Sequence, residues 1–154
     1  KMRAKSGFTL VEILIVVVIL GILAAVVIPQ FTEASSEAKL SSLCTDLQTM
    51  RSQIELYKVQ HNDNLPGVVN GISHPSGIGD ISDAFTNGTD VFGDAGTDFG
   101  PYMQKVPTNQ FVNSDVITTG QAAVVPTVDD GTAGWYFNTL TGELHAITSD
   151  HAGL

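Results

Sequence analysis

The chain has 154 residues and a formal net charge of −9, with 16 acidic against seven basic side chains. So acidic a protein has no electrostatic footprint for nucleic acid and would be repelled by anionic lipid headgroups. Its length supports one domain with a modest core, and its single cysteine, Cys44, excludes an intramolecular disulfide.

Residues 1–7 read as a short basic leader carrying Lys1, Arg3 and Lys5, with the true translation start left open because Lys1 precedes Met2. Phe8 to Ile28 then gives 21 residues whose one charge is Glu12. As a helix that run is about 30 Å long, the thickness of a bilayer's hydrocarbon core. Basic residues on the short N-terminal flank predict a cytoplasmic N-terminus, a single pass through the membrane, and everything later outside. Two features exceed an anchor's needs. An ionised carboxylate four residues into the span costs roughly 2.5–3.5 kcal/mol or more unless it is paired or snorkels. No small-residue cleavage site follows the run, as one would in a secretory signal peptide; the small residue, Gly7, precedes it.

The string KSG-FTLVE, leading into an unbroken apolar helix, closely resembles the prepilin signature of type IV pilins and type II secretion pseudopilins. The resemblance implies cleavage by a prepilin peptidase between Gly7 and Phe8, and methylation of the new Phe8 amine. It implies that Glu12 neutralises the N-terminal ammonium of a neighbouring subunit during assembly. In an apolar bundle each of those charges needs a close opposite partner to offset its desolvation, so Glu12 would specify register between subunits.

Pro29 removes a backbone hydrogen bond and marks a helix kink, with Gly21 a second weak point. Beyond it, Leu40, Leu43, Leu47, Met50, Ile54 and Tyr57 recur at helical spacing, while Glu33, Glu37, Lys39, Asp46, Arg51, Glu55 and Lys58 fall off that stripe. One amphipathic helix is predicted to about His61, ended by Asn62-Asp63-Asn64 and Pro66-Gly67. From Phe8 this makes a rod of roughly 80 Å. Cys44, beside Leu43, reads as a small buried apolar residue.

Residues 66–100 are rich in glycine and aspartate (Asp80, Asp83, Asp90, Asp94, Asp98) and read as a long irregular segment that packs little. A short helical turn is expected near Ser82–Thr86. Spaced aspartates suit calcium, but their spacing departs from an EF-hand, and a solvated acidic loop is the preferred reading. PYMQKVPTNQF resembles the stretch leading into the sheet of major pseudopilins. β-type runs follow at Val116–Thr119, Ala122–Val128, Gly134–Thr139 and Glu143–Thr148, with Pro126 demoting the second to an edge strand or loop. Leu140-Thr141-Gly142 suits a hairpin loop between the last two. Alternate faces of Trp135, Tyr136 and Phe137 are expected to cover the 40–57 stripe and to leave some surface exposed.

GWYFNTLTGELHA resembles the terminal hairpin of major pseudopilins, a group known for a calcium site among its C-terminal strands. Their long ligand-bearing loop is absent here, leaving Asp129 and Asp130 as weak metal candidates against an Asp-Gly turn. His61, His74, His145 and His151 show no ligand spacing, Asp150-His151 reads as a tail, and no catalytic motif is present.

The expected architecture is α+β: a long N-terminal helix, half transmembrane and half amphipathic, packed on a small C-terminal antiparallel β-sheet. Residues 1–7 form the leader, 8–29 the transmembrane or filament-core helix, and 30–154 a periplasmic or extracellular domain. The resemblance covers residues 6–61 strongly and 100–148 loosely. It implies a non-enzymatic filament subunit, first of all the major pseudopilin of a type II secretion system, with a type IV pilin for adhesion or motility second. A reading from another class is an anchored periplasmic binding module that uses the 66–100 loop. Implied partners are copies of itself, the prepilin peptidase, an inner-membrane assembly platform, minor pilins or pseudopilins and the lipid bilayer. Its implied location is the bacterial inner membrane, then a periplasmic or extracellular filament.

Overall fold

The computed structural model describes residues 7–69, 72–73, 81–121 and 132–148. The chain divides into two units, Lys1–Leu40 and Ser41–Leu154, with helix α1 (Leu10–Gln60) contributing to both. In the first unit α1 runs unbroken through Pro29, and its side chains stay exposed from Leu10 to Lys39.

In the second unit the 3.6-residue period decides what is buried. Leu43, Leu47, Met50, Ile54 and Tyr57 form the buried face of α1, as their spacing predicts; Leu40, the last residue of the first unit, is half-buried. Cys44 is exposed, contrary to the sequence reading. One residue past Leu43 turns about 100° around the helix, which carries Cys44 off the stripe. The helix ends where Asn62 (φ 54°) and Asp63 (φ 67°) turn left-handed, and the Asp63 N–H reaches back to the Lys58 carbonyl at 2.8 Å. Asn and Asp tolerate that backbone better than other non-glycine residues, which makes the pair an effective stop.

A two-stranded antiparallel ladder follows, β1 (Val68–Val69) with β2 (Ile72–Ser73), and then the short helix α2 (Ile81–Thr86). The described part of 66–100 packs more than its composition suggests. Ile81, Ala84 and Phe85 enter the interior, and Thr89 bridges to Ala95 and Phe99. A loop this polar stays ordered because its own side chains close it: one Asp90 carboxylate oxygen accepts the N–H groups of Phe92 and Asp94, at 2.9 and 3.0 Å.

The C-terminal sheet has the order β3 (Ile117–Gly120), β4 (Trp135–Asn138), β5 (Leu144–Ala146). β4 and β5 form the expected antiparallel hairpin, with Gly142 at φ 76° in its loop. β3 runs parallel to β4, so the sheet is mixed and not wholly antiparallel. The 14 residues between Gly120 and Trp135 allow this, because parallel neighbours need a connection of about a dozen residues or more. The run Ala122–Val128 with Pro126 lies outside the described residues.

The core joins the α1 stripe to Ile81, Phe85, Val106, Ile117, Trp135, Phe137, Leu144 and Ala146. Each large apolar side chain buried there contributes roughly 1.5–3 kcal/mol. The second face of β4 is covered as well: Tyr136 packs with Ala133 and Ile147, so all four β4 residues are buried and the expected exposed face is absent. β4 is the central strand, which is where both faces find cover. Polar anchors fix its approach. Trp135 Nε1–H donates to the Pro107 carbonyl at 2.8 Å, and the fully buried Asn109 donates to the carbonyls of Gly134 (2.9 Å) and Ile147 (3.2 Å).

Candidate functional site

The first turn of α1 is built around two residues. Thr9 is the N-cap: its Oγ1 accepts the Glu12 N–H at 3.3 Å. The Glu12 carboxylate reaches back to accept the Thr9 N–H at 2.8 Å and the Thr9 hydroxyl at 2.7 Å. This is a capping box, which satisfies two of the amide donors that a helix start leaves without partners. It also places a negative charge at the positive end of the helix dipole. Thr9 was not singled out from the sequence, although a threonine three residues before a glutamate is the signature of this cap.

Around that cap the surface is apolar and uncovered. Phe8 is 82% exposed, Leu10 81% and Phe31 73%, and the Val, Ile and Leu side chains between them are exposed too. α1 is long and apolar enough to cross a membrane. No ion pair to Glu12 occurs among the described residues. At Gly7 a Cβ would meet nothing within 4 Å, so packing in this fold does not require glycine there. At Pro29 the ring removes the donor to the Ala25 carbonyl. Three residues later the Thr32 hydroxyl donates to the Ile28 carbonyl at 3.2 Å.

The remaining candidates do not converge on a second site. His61 is fully buried, stacked on Tyr57 at 3.7 Å, and bonded through Nδ1 to the Tyr57 carbonyl and through Nε2 to Thr89 Oγ1, each at 2.9 Å. Those contacts make it a tie between the end of α1 and the 88–99 loop. Burial, reinforced by Tyr102, Asp90 and Asp94, pushes the Tyr57 phenol up to about 12, and burial also raises Tyr102. Lys105, 3.1 Å from Asp115, holds that carboxyl below its ordinary value. Arg51 donates twice to the Leu144 carbonyl, at 2.8 and 3.1 Å, beside an open groove of about 890 Å³ that Cys44, Glu55 and His145 also line. Among the described residues no three His, Cys, Asp or Glu side chains gather as a metal ion would need. The metal candidates Asp129 and Asp130 lie outside the described residues, as do His74, Asp150 and His151.

Comparison with known proteins points to the same first turn. Residues 2–28 match the family model described as the prokaryotic N-terminal methylation motif. The type II secretion system core protein G of Pseudomonas aeruginosa is 44% identical over 59 residues, which cover 38% of this chain and 42% of that protein. Its counterpart in Vibrio cholerae is 39% identical, covering 40% and 42%. These matches span less than half the length of the relatives. The counterpart in Klebsiella michiganensis aligns more fully, at 28% identity over 86% of this chain and 94% of its own. No solved structure gives a significant match. With a methylation motif on an exposed apolar helix and a small sheet domain in the same chain, the chain resembles the type IV pilins and type II secretion pseudopilins to which these relatives belong.

Proposed function

We propose that the chain is the structural subunit of a pilin-like helical filament, the major pseudopilin of a type II protein secretion system. The observation that carries this reading is the N-terminal part of α1: an apolar surface from Phe8 to Phe31 that is exposed among the described residues, with one carboxylate in its first turn. The relatives named as secretion core protein G support the choice of system. In this reading residues 1–7 are a leader, 8–29 the membrane and filament-core helix, and 30–154 the domain outside the membrane.

The subunit waits in the inner membrane as a single-pass protein with its N-terminus in the cytoplasm. A prepilin peptidase cuts between Gly7 and Phe8 and methylates the Phe8 amine. A glycine that packing does not require suits a residue read by an enzyme. At an assembly platform the subunit joins copies of itself and minor pseudopilins. Lipid is already apolar, so van der Waals packing of the helices and pairing of Glu12 with a neighbour's ammonium drive the transfer from bilayer to bundle. Pro29, where one backbone bond is missing, is where the helix yields as it packs.

The test is electron microscopy of material sheared from cells, with mass spectrometry of the subunit's N-terminus. A processed chain starting at methylated Phe8, held at the inner membrane without long surface fibres, is the expected result. Long surface fibres of the same processed chain would make it a type IV pilin instead. A chain still carrying Gly7 would refute both and leave an anchored binding module.

A further inference from the structure

Segment 30–40 of α1 is too charged for a bilayer core, yet its side chains are exposed from Gln30 to Lys39. Its charges are sorted by face. Ile28, Thr32, Ser35 and Lys39, spaced 4, 3 and 4, share one stripe, and with Phe31 and Ser36 they line a shallow groove of about 470 Å³. Glu33 and Glu37, four residues apart, share another. Two residues separate Glu37 from Lys39 and six separate Glu33 from it, which at about 100° per residue puts both carboxylates roughly on the opposite side from Lys39. Lys39 therefore cannot reach either on its own helix. The positions that could reach it, Ser35, Ser36, Ser42 and Leu43, hold no carboxylate.

The shortage of cations sharpens the point. After Gly7 the chain has four basic side chains, Lys39, Arg51, Lys58 and Lys105, against 16 acidic ones. Arg51 is held on the Leu144 carbonyl, Lys58 lies 3.3 Å from Glu55, and Lys105 lies 3.1 Å from Asp115. Lys39 has no hydrogen bond or ion pair among the described residues. Meanwhile Glu33 and Glu37 stand as a like-charge pair at i,i+4, an arrangement that is unfavourable until a cation comes from elsewhere.

We propose that segment 30–40 is a two-faced docking surface for a second copy of this chain, in which Lys39 of one copy sits against Glu33 and Glu37 of the next. This rests on the filament reading above. Copies anchored in one membrane are parallel, so the contact requires neighbours staggered by about 3–9 Å along the helix axis. Joining opposite faces makes the contact heterologous, the kind that propagates into an open helix and does not close a dimer. Small side chains at Ala34, Ser35, Ser36 and Ala38 let the helices approach closely.

The test uses the full chain in cells that supply the peptidase and platform, reading filament yield by immunoblot of sheared and membrane fractions. Lys39→Glu should lower the yield about tenfold, because attraction becomes like-charge repulsion at every contact. Adding Glu33→Lys and Glu37→Lys to it should restore the yield. In a Cys44→Ser background, Lys39→Cys with Glu37→Cys should oxidise to ladders beyond the dimer, while each single cysteine should give none. Normal assembly of Lys39→Glu beside an assembly-defective Glu12→Ala overturns this inference and leaves the filament reading standing. Efficient dimers from Lys39→Cys alone overturn it as well. A processed wild-type chain that forms no filament overturns both.

Discussion

Replacing Asn109 by alanine tests how the sheet is held. The side chain is fully buried and donates to the carbonyls of Gly134 and Ile147, at the entrance of β4 and the exit of β5. Its Oδ1 accepts the Phe111 N–H at 3.0 Å, which closes the turn on which it stands. Asn109→Ala removes all three bonds. At a net of about 1 kcal/mol per bond, the loss is about 3 kcal/mol. A domain of this size has roughly 5–15 kcal/mol in all, so its melting temperature should fall by roughly 10–20 °C. The assay is thermal and urea unfolding of the detergent-solubilised chain, followed through the near-ultraviolet signal of Trp135. Gln110→Ala, at the exposed neighbouring position, should change stability by less than about 0.5 kcal/mol. If Asn109→Ala costs under about 1 kcal/mol, the three bonds do not hold the sheet and the reasoning is wrong.

Further outcomes can be checked in the same preparations. The folded chain should lose stability as pH rises from about 10 to about 12, because Tyr57 stays protonated in the fold while the unfolded phenol ionises. Tyr57 should titrate late in tyrosinate absorbance, and an early titration in the folded chain would contradict its burial. Gly142→Ala should cost roughly 1–2 kcal/mol, since φ is 76° there and a Cβ would stand 2.6 Å from Leu65 Cδ2; a neutral result in urea unfolding would show that the loop rearranges freely. Cys44 should react fully with a maleimide in the native chain, and protection until denaturant is added would mean that it is buried. Glu12→Ala should leave the chain cleaved, inserted and folded but poor at assembly, and normal polymerisation of that variant would defeat the pairing argument.

What could be read from the sequence was whatever repeats locally. Leu43 to Tyr57 announce their buried face because a helix returns every 3.6 residues, and Gly142 between two β-type runs announces a hairpin. The first turn was legible only in part: Glu12 stood out as a charge in an apolar run, while Thr9, which holds it, did not. The rest depends on partners far along the chain. Nothing near Ile117 says that it will pair in parallel with Trp135. Tyr136 is buried because Ala133 and Ile147 meet it on the second face, which alternation along one strand cannot reveal. Asn109 looks like a turn residue, and it becomes an anchor only because its amide meets carbonyls 25 and 38 residues later. Cys44 differs for another reason: it neighbours Leu43 in sequence, but one residue turns about 100° around a helix and so leaves the buried face.

The capping box bears on how a subunit could wait and then assemble. A bare carboxylate in lipid would be costly, yet Glu12 is already bonded to the Thr9 N–H and hydroxyl. Those bonds, together with the positive end of the helix dipole, offset part of the desolvation while the chain is alone. Their donors are neutral. A neighbour's ammonium offers a charge-assisted bond, roughly twice as strong as a neutral one, in a bundle where no water competes. In the proposed filament, exchanging one set of partners for the other would therefore add a modest gain to that of helix packing. In that filament the glutamate would decide which stagger between neighbours is allowed, because an ammonium arriving at any other level would find no carboxylate and stay desolvated alone. Removing it should accordingly harm the order of assembly far more than the stability of the single chain.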